Sequence, residues 1–280
     1  MAVREEKDAS EQEKNIMEVN AGVYCFQAPV LFEVLREITI NPVKKEYFLT
    51  DAIALLAGKK HKIETLQTSD PEEGLGINTR EDLARSAAVV RRRVLKDWML
   101  KGVTIVDPLT TYIDCGAQIG RDTVIRPFTF IENDVRVGRR CLIGPFARLR
   151  PGTRIGNDVE LGNYVEVSRS RVGDHCFMKH FSFLGDARVG KKVNIGAGVV
   201  TANFDGRNKN TTRIADGAFI GSDSILVAPV TVGRGAITGA GCVVTKGKKI
   251  PAGSVVAGVP ARLMSSGKSP TGKRDKTTAS

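Results

Sequence analysis

Ile113-Asp-Cys-Gly-Ala-Gln-Ile119-Gly-Arg-Asp-Thr-Val-Ile125-Arg-Pro-Phe-Thr-Phe-Ile131-Glu-Asn-Asp-Val-Arg-Val137-Gly-Arg-Arg-Cys-Leu-Ile143-Gly144 carries an aliphatic side chain at every sixth position. The series runs on through Leu149, Ile155, Leu161 and Val167, and glycine often follows, as in Ile155-Gly156 and Leu161-Gly162. A period of six fits neither a helix nor a simply alternating strand. Six residues make one short strand and a turn. Three such units close a triangular coil with the aliphatic residue pointing inward. The spacing therefore predicts a mainly β protein built on a parallel β-helix.

The register slips by one residue to Val172, Met178 and Leu184, and again to Val189 and Ile195. It resumes at Ile214, Ile220, Leu226 and Val232, with a further slip expected at Ile237 and Val243. Between these runs lies Thr201-Ala-Asn-Phe-Asp-Gly-Arg-Asn-Lys-Asn-Thr-Thr212, a polar stretch with no inward aliphatics. A loop expelled from a rigid solenoid is a place where function concentrates, although such loops are also plain insertions. A second irregular coil, residues 174–186, crowds His175, Cys176, Phe177, Lys179, His180, Phe181 and Phe183 together.

Upstream, residues 1–88 read as an α/β segment. Strands are expected at 19–26 and 62–66, and amphipathic helices at 28–38 and 49–57, the second capped by Thr50 or Asp51. A basic helix over 79–100, capped by Asn78 or Thr79, leads into the repeats, so residues 89–106 are read as a linker and 107–264 as the β-helix. Residues 265–280 are Ser, Thr, Lys and Gly without apolar periodicity and read as a disordered basic tail.

The 280 residues are 41% hydrophobic and 26% charged, the composition of a soluble globular protein. No stretch reaches the roughly 20 apolar residues of a membrane span. The first residues lack the apolar core of a secretory signal. Five scattered cysteines without a CxxC pair fit free thiols in a reducing compartment. The expected location is the cytoplasm. The net charge of +11 sits partly in Arg91-Arg-Arg93 and the tail, and suits a solvated surface or phosphate-bearing ligands. With 6% aromatics and no recognition motif, nucleic acid is not an expected partner. The three histidines, His61, His175 and His180, leave little room for a three-histidine zinc site, because His61 lies outside the repeats.

Several motifs occur in order: Gly144-Pro-Phe-Ala-Arg-Leu-Arg-Pro-Gly152, Gly162-Asn-Tyr-Val-Glu-Val167, Lys179-His-Phe-Ser-Phe-Leu-Gly-Asp186, Val193-Asn-Ile-Gly-Ala-Gly198, Asn203-Phe-Asp-Gly-Arg-Asn-Lys209 and Gly221-Ser-Asp223. Together they resemble the acetyltransferase half of the bacterial bifunctional enzymes that make UDP-N-acetylglucosamine, in which a glucosamine-1-phosphate acetyltransferase is joined to an N-acetylglucosamine-1-phosphate uridyltransferase. The likeness spans about residues 107–228, weakening to Arg262. Upstream, Glu5-Glu-Lys-Asp-Ala9, Glu18-Val-Asn-Ala-Gly22, Glu46-Tyr-Phe-Leu-Thr-Asp51 and Gly74-Leu-Gly-Ile-Asn-Thr-Arg80 resemble the last part of the uridyltransferase half. The Gly-rich nucleotide loop and acidic metal ligand of that half have no counterpart in this sequence, so uridyl transfer is not expected.

The resemblance implies a left-handed β-helix, a homotrimer with sites between neighbouring rods, acetyl-CoA as co-substrate, and an aminosugar phosphate as acceptor. It implies no metal for acetyl transfer. By resemblance, His180 is the general base and Glu166 a carboxylate beside it. Arg150 and Lys209 clamp the phosphate, and Asn194 binds the sugar. Ala197, Asn203, Phe204, Ser222 and Ala240 follow the coenzyme. Some positions depart from the pattern. Ser168 replaces a phosphate-binding Lys, with Arg169 beside it as a substitute. Phe183 and Phe204 replace Tyr. Gly258 replaces an Arg found in some members, with Arg262 as a substitute. Competing readings are a different aminosugar phosphate or nucleotide-sugar acceptor, and a non-catalytic truncated paralogue.

Overall fold

In a computed structural model, which describes residues 3–4, 9–42 and 44–264, the chain divides into two compact units, residues 1–89 and 90–280. The basic tail expected at 265–280 lies outside the described residues.

In the first unit, α1 (Ala28–Leu35) and α2 (Asp51–Gly58) pack around a small core of Val34, Ile38, Ala52 and Leu56. Pro29 sits in the first turn of α1, where its missing N–H costs nothing. Thr50 is the N-cap of α2, but its side chain makes no capping bond. The strands expected at 19–26 and 62–66 do not form: both segments are irregular, and Val19, Val23 and Leu66 are exposed. A strand is stable only against a partner, and among the described residues of this unit there is none. The long helix α3 (Arg80–Leu100) begins where Thr79 and Asp82 cap each other. The Thr79 hydroxyl accepts the Asp82 N–H (3.1 Å), and the Asp82 carboxylate accepts the Thr79 N–H (2.9 Å). The Thr79 hydroxyl leads the bonds that hold the Asp82 carboxyl below the usual carboxylate range.

The second unit is a left-handed parallel β-helix of about eight coils with three sheet faces. The first face begins at Thr104–Ile105, the second at Tyr112–Ile113 and the third at Gln118–Ile119. Within the three sheets every strand pairing is parallel until Arg262–Leu263 turns back antiparallel onto Val255–Ala257 and closes the first face. Each short strand points one residue out and the next in, so the inward residues stack directly. On the first face Ile125, Ile143, Leu161, Met178, Ile195 and Ile220 form one buried column. Leu95 of α3 joins this core, with Trp98 packed against it.

The slips at Val172 and Val189 are real, since Leu161 lies beside Met178 and Val172 beside Val189. The slip expected at Ile237 and Val243 is not. Ile220 pairs with Thr238 and Leu226 with Val244, so the inward series from Val232 runs on unbroken through Thr238, Val244, Ile250 and Val256. Ile237 and Val243 point outward. The reason is that a threonine holds an inward place. Its buried hydroxyl accepts the Gly221 N–H (3.0 Å) and bonds the Ser224 hydroxyl (3.0 Å). Thr201 is a second such residue, its hydroxyl accepting the Gly185 N–H at 2.8 Å. Cys141, Cys176 and Cys242 are also buried, whereas Cys25 and Cys115 are exposed; all are free thiols. Burial pushes the Cys176 thiol up to about 11.

Candidate active site

Three short strands per coil leave three edges along the rod. At the edge between the first and second faces the backbone takes left-handed conformations at Phe128 (φ 57°), Phe146 (φ 54°) and Tyr164 (φ 54°), whose rings stack at 4.8 and 4.9 Å. Gly198 (φ 71°) and Asp223 (φ 55°) occupy the same place in later coils. The Gly198 N–H donates to the Phe181 carbonyl (2.7 Å), the Asp223 N–H to the Ala197 carbonyl (2.7 Å), and the Gly241 N–H to the Ser222 carbonyl (2.8 Å). These bonds set His180, Ala197, Ser222 and Ala240 one above another on that edge. Gly258 lies in the next coil, where its carbonyl accepts the Val243 N–H (3.1 Å). Parallel strands are about 4.8 Å apart, so the column from His180 to Ala240 rises roughly 14 Å. His180 is exposed and makes no hydrogen bond among the described residues. The Ala197 N–H likewise donates to no backbone carbonyl among them.

Close stacking at this edge needs glycine. A Cβ on Gly162 would collide with the backbone carbonyl of Lys179, the residue before His180.

The second face lies on one side of His180. Its outward column includes Arg148, Glu166 and Phe183 in adjacent strands. Glu166 is half-buried and accepts from Arg150 Nη1 at 2.9 Å, so its bonded partner is Arg150 rather than His180. Arg150 Nε is buried and has no hydrogen-bond partner among the described residues.

At the far edge of that face Arg169 clamps Asp186 through Nε (2.7 Å) and Nη2 (2.9 Å), and its Nη1 donates to the Ser168 hydroxyl (2.9 Å). The Asn203 amide donates to the same Asp186 carboxylate. Arg169 is the main cause that holds the Asp186 carboxyl below the usual carboxylate range. Asp186 was visible in sequence only as the last letter of a motif, with no role. The structure makes it the common anchor of two expected ligand residues, Arg169 and Asn203.

The polar stretch leaves the rod at this edge. It folds back on itself by a bridge between Phe204 and Lys209, both exposed, around Asp205. Asp205 accepts from the Asn208 N–H (2.8 Å) and from Lys246 Nζ (3.1 Å). Asn194 stands apart from this group, on the first face between Phe177 and Phe219. Arg262 lies in the closing antiparallel strand of that first face. One chain thus brings Arg150 to Glu166, and Arg169 and Asn203 to Asp186, and aligns His180 with Ala197, Ser222 and Ala240. It does not bring these groups into one pocket. Two open clefts, of about 350 and 310 Å³, are lined by other residues.

The hexapeptide repeat model of bacterial transferases (six repeats) matches residues 116–151, 134–169 and 211–246. The Bifunctional protein GlmU of Halalkalibacterium halodurans is 40% identical over 86% of this chain and 60% of its own length. That of Desulfitobacterium hafniense is 40% identical over 91% and 63%, and that of Carboxydothermus hydrogenoformans 42% identical over 86% and 62%. The chain therefore spans about 60% of the length of the curated relatives it matches. Among solved structures, the UDP-N-acetylglucosamine acyltransferase LpxA of Bacteroides fragilis is 19% identical over 55% of this chain and 72% of its own. Its TM-score of 0.39 is too low to bear on function. The chain is a homologue of the bifunctional GlmU proteins over most of its length, with a β-helix that carries the hexapeptide repeat of bacterial transferases.

Proposed function

We propose that this chain is an acetyl-CoA-dependent N-acetyltransferase that acetylates glucosamine-1-phosphate on the route to UDP-N-acetylglucosamine, in the cytoplasm and as a homotrimer. The observation that carries the reading is the alignment of His180, Ala197, Ser222 and Ala240 on one edge of the rod. An extended coenzyme arm laid along that edge would end with its thioester beside an unengaged imidazole and an unengaged N–H.

The chemistry follows from that placement. Only a neutral amine attacks a thioester, and a base near neutrality removes its proton as the C–N bond forms. His180 takes that proton. The tetrahedral oxyanion is held by the Ala197 N–H. The C–S bond then breaks, and the imidazolium returns the proton to the departing thiolate. No metal is needed in these steps. Arg150, fixed by Glu166, and Lys209 of the loop are the phosphate clamps. Asn194 and Arg262, on the first face, belong to the site formed with a neighbouring copy, apart from the His180 edge. The outward residues Phe177, Phe219, Ile237 and Val255 on the first face, and Tyr112 and Phe130 on the second, are exposed and apolar, as surfaces covered by neighbours are.

A second reading, a different aminosugar phosphate as acceptor, is favoured by one specific feature. Ser168 stands where the family has a cationic phosphate ligand, and the Arg169 beside it is already bonded by Asp186. Release of free thiol from acetyl-CoA, measured with glucosamine-1-phosphate and then with other aminosugar phosphates, separates the two. Thiol release with none of them, or an undiminished rate in His180→Ala, overturns the proposal.

A further inference from the structure

The third face carries an unusual outward column. Strand pairing places Arg136 beside Arg154, Arg154 beside Arg171, Arg171 beside Arg188, and Arg188 beside Arg213. Thr231 and Lys249 continue it. Like charges directly opposite on neighbouring strands repel. Among the described residues only Arg154 of this column has an ion-pair partner, Asp134 at 2.6 Å. Arg188 donates to the carbonyls of Arg169 and Ala187, and Arg136, Arg171, Arg213 and Lys249 form no ion pair among the described residues. The outward columns of the other two faces are mostly apolar or mixed, so the charge is specific to this face.

At one end the column opens into the cleft of about 310 Å³. Arg213, Lys248 and Lys249 line it together with the hydroxyl residues Thr211 and Thr231. Pro229, Val230 and Gly247 complete the lining, and the three cations and two hydroxyl side chains among the lining residues are the donor types a phosphate group takes up. None of these residues belongs to the site proposed above.

We infer that the third face is a binding track for a linear polyanion made of phosphates without bases, with one end seated in the Thr211–Lys249 cleft. The track is one side chain wide and, from Arg136 to Lys249, rises roughly 29 Å at about 4.8 Å per strand. That shape suits a chain laid along the rod. No outward strand residue of this face is aromatic, so the bases of a single-stranded nucleic acid would have no surface to stack on. None of those outward residues is apolar either, and Pro229 and Val230 enter only at the end cleft, so the face lacks the continuous hydrophobic flank that seats an amphipathic surface in a membrane.

The test is titration of the full chain with fluorescently labelled inorganic polyphosphate at several salt concentrations. Wild type is expected to bind with an affinity that falls steeply with salt, and the triple substitution Arg136→Gln, Arg171→Gln, Arg213→Gln to lose at least about tenfold and flatten the salt slope. Lysine at the same three positions is expected to keep most of the binding. Lys45→Gln, Lys60→Gln, Lys96→Gln changes the net charge equally off the face, and removal of residues 265–280 strips the basic tail. Each is expected to change affinity less than about threefold. Polyphosphate is expected to raise the melting temperature of wild type and not that of the glutamine triple. Equal binding by that triple, equal losses in the off-face or tail variants, or tighter binding of a single-stranded oligonucleotide of the same charge would overturn the inference.

Discussion

His180 is exposed at an edge of the rod and is held by no side chain among the described residues, so its removal separates chemistry from folding. His180→Ala is expected to lower the rate of acetyl transfer about 10²–10⁴-fold. Its thermal unfolding should stay within about 0.5 kcal/mol of wild type, because the residue is exposed. Gly162 acts on the same histidine through the backbone. Gly162→Ala forces a methyl against the Lys179 carbonyl, and overpacking of this kind costs about 1–3 kcal/mol. A variant that melts lower yet is folded at the assay temperature, and is still slow, would carry the displaced histidine as its signature. Asp186 gives a third residue-scale expectation, with a sign. Its carboxyl is depressed by Arg169, so the ionised form is favoured in the folded chain. The stability this adds is present above the ordinary carboxylate range and is lost as pH falls through the depressed value. Asp186→Asn removes that dependence. Below about pH 4 the gap between wild type and variant in chemical denaturation should narrow. At neutral pH the variant should show a raised KM for acetyl-CoA, through the loosened Asn203, with kcat less affected.

The elements differ in how openly their sequences declare them. The hexad of Ile113 to Val167 could be read directly because inward positions of a triangular coil admit almost nothing but aliphatic side chains. The same filter misread the last coils. It took Ile237 and Val243 as inward because Thr238 is polar, although the hydroxyl of Thr238 is satisfied inside the rod. Thr201 is the same device beside the loop. Thr201→Val keeps volume but removes the acceptor of the Gly185 N–H, and is expected to cost about 1–2 kcal/mol by chemical denaturation. Thr238→Val should cost less. The Gly221 N–H also reaches the Thr238 carbonyl (3.0 Å), and Ser224 also reaches the Gly239 carbonyl (3.2 Å). In the first unit, residues 19–26 and 62–66 have strand-like composition, but composition cannot supply the neighbour a strand requires. For the site, the motifs named residues without saying which touch. That Glu166 holds Arg150, and that Asp186 joins Arg169 to Asn203, depends on side chains one coil apart meeting across the stack. A reading along the chain does not bring them together.

For the whole molecule, the three faces have distinct characters: two with exposed apolar columns and one with cations. The proposed homotrimer would place neighbouring copies on the apolar faces, and this gives a direct expectation. Phe219→Glu, placed between Asn194 and Ile237 on the first face, should shift sedimentation toward single chains. Acetyl transfer should fall with it, and increasingly so on dilution. A variant that stays assembled and active would show that this face lies on the outside.

The three sulfurs turned into the rod carry a practical consequence. Cys141, Cys176 and Cys242 sit in separate coils, and burial keeps all three protonated near neutrality. A disulfide reagent added to the intact protein therefore labels Cys25 and Cys115 and stops. Each additional cysteine that becomes labelled on warming or in denaturant marks a stretch of solenoid that has peeled open, and peptide mapping of the label gives the order in which the coils come apart.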